Sequence, residues 1–416
     1  MSGRSPVQAV VAQRGERARD VPVAPRPSSG RGAGWALGMI TVLAILAAAG
    51  IASAQPSPGV WTITPSLQVG EEYTDNVFGT AHNRQSDFIS QFTPGLRVSY
   101  ATTPFTLELG YTVTGEIYAD NSNLDNFGDN QTGFLTLSYR PDERWHFNLN
   151  SYYARTNNPS QFLVTPSAPA GAVVVPTVET TRQQTDQFTV SAGGDYKFTP
   201  RLTGRASYDF SYLKQEGSED SFSNTGLLGA DYQLTPLDTG FSTVSVSVFE
   251  PNTDTSATLL LGWSRQWSPN FTTSVAVGPR VTNSDWAGAA DLSATYQATR
   301  EWSFSLAYHL GTSLVAGTTG AQNVSGLTAT IGYHPLRDLQ FGAQGGWTRT
   351  WEIGGSRSDS ENAYFAGASA SYQITTWLTL TLSYTYTLQE QAHGDSIGTN
   401  QVLLALTAAY PWALPR

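Results

Sequence analysis

The sequence predicts an all-β transmembrane protein, an antiparallel up-and-down β-barrel of about 18 strands. Three observations point to this fold class. Only 13 % of the 416 residues are charged, whereas an ordinary soluble domain contains about 25 %. One turn unit recurs along the chain at nearly regular spacing. Between the turns, apolar and polar residues alternate with the period of two that is typical of strands.

The N-terminal 54 residues predict a signal peptide. Six arginines lie in a long basic region, the apolar stretch 35–51 follows, and Ala52-Ser53-Ala54 provides an A-x-A cleavage site. An uncleaved helical anchor is the alternative. Cleavage removes six of the 23 basic residues and two of the 33 acidic ones, which leaves a net charge of −14. A chain this acidic argues against nucleic acid as a partner.

A short segment, residues 55–60, leads into the predicted barrel at residues 61–412. In each turn unit an aromatic residue ends one strand, a turn follows, and an aromatic residue or leucine begins the next strand. The eight turns are 101–104, 140–144, 197–201, 233–240, 268–270, 297–301, 334–338 and 373–376. Adding a first strand at 61–73 and a last strand at 401–412 gives 18 strands, in an expected range of 16 to 18.

The alternation predicts which face of each strand meets lipid. In the strand Phe105–Tyr118, the odd positions from 105 to 113 are apolar or aromatic, and the even positions from 106 to 114 are polar or Gly. Residues 377–388 show the same alternation with the opposite parity. Tyr and Trp gather beside the short turns, as in the aromatic girdle at a membrane interface. An open sheet edge would leave backbone groups unpaired in hydrocarbon, so the strands must close. An even strand number places both termini in the periplasm.

Longer polar connections are expected on the extracellular side. They are 76–87, 119–131, 156–185, 215–220, 251–255, 283–285, 316–322, 354–360 and 390–399. Connection 119–131 is dense in Asp and Asn, which suggests binding of a divalent cation or bridging to lipopolysaccharide, although an ordinary turn is the simpler interpretation. Connection 156–185 is long and nearly uncharged. We expect it to fold into the barrel mouth as a constriction or to pack on a partner subunit, with a disordered loop as the third alternative.

The last strand carries alternate apolar residues that lead to aromatic ones, Tyr410 and Trp412. This pattern resembles the terminal signal of outer-membrane proteins. We therefore expect outer-membrane lipids and the barrel-insertion machinery as partners. Pro411 interrupts the pattern, and residues 413–416 run past it as a C-terminal tail.

The segment PSLQVGEEYTDNVF at Pro65–Phe78 resembles the first strand of β-barrel porin families of Gram-negative bacteria. Hairpin units such as YQITTWLTLTL at Tyr372–Leu382 resemble the same families, and the similarity covers residues 60–412. These families are often associated with exopolysaccharide or exosortase gene clusters. The resemblance implies a location in the outer membrane of a Gram-negative bacterium and a role in transport, but it does not identify a substrate.

The sequence contains no motif that predicts an enzyme. GxSxG, P-loop and HExxH motifs are absent, and no two of the five histidines have the spacing of metal ligands. The absence of cysteine excludes disulfides and thiolate metal sites. We expect no cofactor. A barrel hydrolase could use a wall pair such as His309 and Asp291, but a solvated wall histidine is the simpler interpretation.

Alternation also predicts the ionisable residues that face the lumen. They are Arg97, Glu108, Glu116, Asp195, Arg201, Arg205, Asp209, Asp231, Arg280, Asp291 and His309. Acidic and basic residues on opposing walls would create a transverse field that orients polar solutes. The predicted function is a pore for polar solutes or polysaccharide, with exopolysaccharide export as a candidate role. The alternative is a plugged barrel that anchors a surface or secretion complex. The sequence leaves the oligomeric state open.

Overall fold

The computed structural model describes residues 59–157, 182–315, 318, 320–355, 360–391 and 394–414. The predicted signal peptide, residues 158–181 of the longest connection and residues 415–416 lie outside this part of the chain. Within it, no helix is long and apolar enough to cross a membrane.

The described residues form strands and one turn of 3-10 helix at Ser122–Leu124. The strands are β1 (Val60–Thr74), β2 (Asp87–Ala101), β3 (Phe105–Tyr118), β4 (Asn126–Tyr139), β5 (Trp145–Thr156), β6 (Thr185–Thr199), β7 (Leu202–Gln215), β8 (Ser221–Gln233), β9 (Asp238–Glu250), β10 (Asp254–Ser268), β11 (Phe271–Thr282), β12 (Asp285–Gln297), β13 (Trp302–Leu314), β14 (Ala321–Leu336), β15 (Leu339–Glu352), β16 (Glu361–Thr375), β17 (Leu378–Glu390), β18 (Ser396–Ala409) and β19 (Trp412–Leu414).

The strands form one closed antiparallel sheet in sequence order. β1 closes the barrel, because it pairs with β2 on one side and with β18 and β19 on the other. β19 continues the line of β18 beyond a break at residues 410–411, so the wall has 18 strand positions. The predicted fold class and strand number are confirmed.

The broken last strand differs from the prediction in one detail. Ala413 pairs with Thr62 and Leu414 pairs with Trp61. Two residues that we expected in a free tail therefore complete the wall. The break lies at Pro411, which has no backbone N–H to donate to the ladder.

The eight predicted short turns lie at one end of the barrel, where they join alternate strand pairs, namely β2–β3, β4–β5 and so on to β16–β17. The longer connections lie at the other end. Two connections are clearly shorter than expected, 390–399, which is reduced to 391–395, and 119–131, which is reduced to 119–125. β4 begins at Asn126, which pairs with Glu116, and the register shift that follows takes up the extra residues of β4. Residues 126–131 of the Asp- and Asn-rich segment 119–131 are thus strand.

The two faces of the wall differ as the alternation predicts. Apolar side chains on the outer face are widely exposed, with Leu228 at 66 % and Leu261 at 61 % of full exposure. An exposed apolar surface of this size is typical of a surface that a partner protein or a membrane covers. Inward positions carry mostly Thr, Ser, Gly, Asn and Gln.

Aromatic rings on the outer face form two continuous chains around the short-turn end. Neighbouring ring centroids lie 4.1 to 6.4 Å apart. The first chain runs through Trp61, Tyr100, Phe105, Tyr139, Phe147, Trp145, Tyr196 and Phe198, and the second through Phe271, Tyr296, Phe304, Trp302, Tyr333 and Phe341. Aromatic belts of this kind lie at the level of lipid headgroups.

Candidate functional site

The candidate functional site is the inner face of the barrel wall. Ten of the eleven residues predicted to face the lumen occupy inward positions of strands. The exception is Arg201, which lies in the two-residue turn between β6 and β7.

The charged residues of the wall pair with their neighbours on the next strand. Arg97 Nη2 lies 2.7 Å from Glu108 Oε1, and Arg205 Nη2 lies 2.9 Å from Asp231 Oδ1. We expected acidic and basic groups on opposing walls, where they would produce a field across the pore. The structure instead places these partners side by side, so the fields of the two charges largely cancel at distances greater than their separation, across the lumen.

Two wall histidines also pair with carboxylates. His309 Nδ1 lies 2.6 Å from Asp291 Oδ1. His146 Nδ1 lies 3.3 Å from Asp195 Oδ2, and its Nε2 lies 3.1 Å from Ser138 Oγ. Although this is the atom order of a Ser-His-Asp triad, Ser138 lies inside the ladders with β3 and β5. The wall there offers no free pair of N–H groups for an oxyanion, so we interpret the contacts as structural.

A buried polar cluster, which we call the acid–arginine cluster, lies at the long-connection end of the inner wall. It comprises Glu72, Gln91, Glu116, Tyr118 and Arg182. Gln91 Nε2 donates to Glu72 Oε2 over 2.8 Å, and the Tyr118 hydroxyl donates to Glu116 Oε2 over 2.7 Å. Arg182 donates to the Tyr118 hydroxyl and places Nη2 3.6 Å from Glu116 Oε2. The guanidinium therefore contacts Glu116 and Tyr118 directly, whereas Glu72 is held by Gln91.

Sequence reasoning found only part of this cluster. Glu116 was predicted to face the lumen, and the alternation of the first strand contains enough information to place Glu72 there as well. Arg182 follows no strand pattern, because it lies in the connection before β6. Only the folded chain brings it to Glu116.

Apolar side chains from two connections pack beside the acid–arginine cluster. Val77, Ile89 and Tyr118 are buried together, with Phe78 and Leu124 packed against them. Since Ile89 and Tyr118 occupy inward positions of β2 and β3, the connections 75–86 and 119–125 lie over the inner wall. They narrow the lumen at this end.

A hairpin also turns into the lumen. Pairing between β12 and β13 stops at Ala290 and Leu310, although β12 continues along β11 as far as Asp285. Beyond this point β13 pairs only with β14. We call residues 311–315 and 321–325 the inturned ends.

The inturned ends pack against the inner face of the wall. Leu314 and Ala321 are buried against Phe249 of β9, with Leu213 of β7 packed beside them. The backbone N–H of Ala321 donates to Asp254 Oδ2 over 3.0 Å. The hairpin therefore reaches the inward side chains of strands that lie several positions away around the barrel.

Arg280 is covered by the inturned ends. It faces the lumen from β11, yet it is only 2 % exposed, and its Nη2 donates to Asn323 Oδ1 over 2.5 Å. This predicted lumen residue is thus a structural contact of the hairpin and does not line open space.

The inward positions carry an excess of negative charge. Among the described strands, twelve acidic residues alternate inward, namely Glu72, Asp87, Glu108, Glu116, Asp195, Asp209, Asp231, Asp254, Asp285, Asp291, Glu352 and Glu361. Four basic residues do so, Arg97, Lys197, Arg205 and Arg280. In the same part of the chain, no group of three His, Asp or Glu side chains is arranged to hold a metal ion.

No family model and no curated protein sequence matches the chain. Solved structures similar to it include OccK7 (OpdD) of Pseudomonas aeruginosa, with 11 % identity and a TM-score of 0.46 over 86 % of this chain and 100 % of that one. OccAB4 of Acinetobacter baumannii has 11 % identity and a TM-score of 0.43 over 86 % and 99 %. The outer membrane protein OpdK of Pseudomonas aeruginosa has 12 % identity and a TM-score of 0.40 over 84 % and 99 %.

Proposed function

We propose that the chain is an outer-membrane channel for small polar solutes that prefers cations to anions. Support for the membrane location comes from the exposed apolar outer face and the aromatic chains at the short-turn end. Support for passage of polar solutes comes from an inner face of hydroxyl, amide and glycine residues. These groups replace the hydrogen bonds that a hydrated solute makes with water.

The cation preference is carried by the charge of the inward positions. Arg97 and Arg205 are neutralised by adjacent carboxylates, and Arg280 is covered by the inturned ends. Asp209 and Asp291 are balanced by no arginine or lysine at hydrogen-bonding distance among the described residues: Asp209 accepts from Ser207 Oγ, and Asp291 contacts His309. A negative wall around a narrow aqueous path concentrates cations and repels anions.

Reversal potentials of the refolded protein in planar bilayers under a KCl gradient test this function. We expect cation selectivity, reduced in Asp209→Asn and in Asp291→Asn. Glu71→Gln serves as a matched control, because Glu71 lies on the outer face and accepts a hydrogen bond from Ser90 there. Anion selectivity, or equal losses in the control and in the two wall variants, would contradict the proposal.

We further propose sugars or polysaccharide strands as candidate solutes. The resemblance to porin families associated with exopolysaccharide clusters motivates this, and uncharged hydroxyl and amide side chains suit sugar hydroxyls. Concentration-dependent block of the ion current by neutral oligosaccharides is the expected result. Current that is insensitive to them would favour ions or other small solutes.

A plugged anchoring barrel is the second candidate. It is favoured by the inturned ends and by the buried clusters, which occupy lumen space. An absence of conductance from correctly folded, heat-modifiable protein would support it over the channel.

A further inference from the structure

The wall contains a seam where two neighbouring strands lose their ladder. Asp285–Ala289 of β12 pairs with β11 but not with β13, and residues 311–314 of β13 pair with β14 but not with β12. A barrel wall normally pairs each strand on both sides, because unpaired backbone N–H and C=O groups are costly away from water. The seam exists because the inturned ends bend away from β12 into the lumen, while residues 322–325 keep their ladder with residues 349–352 of β15.

The two edges of the seam match each other chemically. If the existing register of Ala290 opposite Leu310 continued, Ala287 would face Ser313 and Trp286 would face Leu314. Trp286 and Leu314 both occupy outward positions, and Ala287 and Ser313 both occupy inward ones. A continued ladder would therefore place apolar groups toward lipid and small groups toward the lumen, as elsewhere in the barrel.

The inturned state satisfies a different set of groups. It buries Leu314 and Ala321 against Phe249, and it supplies Asn323 as an acceptor for Arg280. Asn323 occupies an outward position of β14, so returning to the wall would separate it from the inward Arg280. The inturned arrangement and the continued ladder therefore each form contacts that are absent from the other.

We propose that the inturned ends are a gate with two positions, turned into the lumen or zipped into the seam beside β12. This inference rests on the proposed channel function and describes its regulation. Zipping restores the missing ladder and withdraws two strand ends from the lumen. The Arg280–Asn323 bond and the Asp254–Ala321 bond hold the closed position.

The absence of native cysteine allows each position to be trapped by disulfide crosslinking. In Ala287→Cys/Ser313→Cys, the thiols would be directly opposite only after zipping. The control pair, Ser293→Cys/Ala307→Cys, lies in the part of the same two strands that is already paired, also at inward positions. Oxidation should crosslink both proteins. It should raise the single-channel conductance of the seam variant alone, and dithiothreitol should reverse the increase.

The Arg280–Asn323 bond, which holds the closed position, gives a second measurement that does not depend on conductance. Asn323→Ala removes the acceptor of Arg280 and should increase the rate of crosslinking of Ala287→Cys/Ser313→Cys. If the control crosslinks but the seam pair does not, the ends do not return to the wall and the gate is overturned. Crosslinking of the seam without a change in conductance also overturns it. A control that crosslinks and never conducts would instead contradict the channel function.

Discussion

Arg280 donates a hydrogen bond to Asn323 over 2.5 Å, although β12 and β13 separate their strands in the wall. Arg280 points into the lumen, whereas Asn323 occupies an outward position of β14. The bond forms because the inturned ends lay their outward face on the inward face of β11. It joins the hairpin to the wall at a residue that strand alternation alone would assign to open lumen.

Loss of this acceptor should destabilise the barrel. The guanidinium Nε and Nη1 atoms are buried without a hydrogen-bond partner, so Asn323→Ala leaves a buried charge with still less compensation. We expect a loss of about 1–3 kcal/mol in the free energy of unfolding, measured by urea unfolding in lipid vesicles. The double variant Arg280→Met/Asn323→Ala should recover most of the loss. Equal stability of wild type and Asn323→Ala would show that the bond contributes little.

The acid–arginine cluster should behave as a coupled unit. Arg182→Ala leaves the buried Glu116 carboxyl without its cationic neighbour and should lower the free energy of unfolding by about 3–5 kcal/mol. Glu116→Gln in the same chain removes the uncompensated charge and should restore part of the stability. Additive effects in this double-mutant cycle would mean that the two side chains do not interact.

The orientation in the membrane can be tested at two exposed positions. Asp142→Cys lies in a short turn and should resist a membrane-impermeant thiol reagent in intact cells. Ser122→Cys lies in a long connection and should be labelled. This follows from an even number of strand positions with both termini in the periplasm. Labelling in the opposite order would reverse the topology.

Truncation at the C-terminus should have graded effects. Deletion of residues 413–416 removes the pairs of Ala413 and Leu414 with β1 and should lower the amount of assembled barrel. Deletion of residues 410–416 also removes Tyr410 and Trp412 and should leave the protein degraded. Heat-modifiable mobility on gels measures the assembled fraction. Wild-type levels of the longer truncation would show that β19 is dispensable for closure.

The long connection before β6 remains a predicted constriction. Residues 158–181 lie outside the described part, but Arg182 at its end contacts the inner wall at Tyr118. Replacing residues 160–179 with a Gly/Ser linker should raise conductance and admit larger sugars. A change to a monomer at constant conductance would identify an interface instead, and no change in either property would contradict both interpretations.

The class of fold and its two faces follow from the pattern of residues along the chain. A period of two with aromatic residues beside recurring short turns leaves one arrangement that satisfies every backbone group in lipid, a closed antiparallel barrel. The same parity placed Arg97, Asp209 and Asp291 on the inner face. Successive side chains of a strand point to opposite faces, so the face that a residue occupies can be inferred from the local sequence.

The filling of the lumen depends on contacts between strands that are distant along the chain. Strand alternation assumes that every residue of a strand remains in the wall. It therefore cannot show that the ends of β13 and β14 bend into the lumen or that Arg280 becomes buried beneath them. The contact of Arg182 with Glu116 and the side-by-side pairing of wall charges likewise join residues far apart in sequence. Their positions follow from register and packing between strands, which no local pattern of residues encodes.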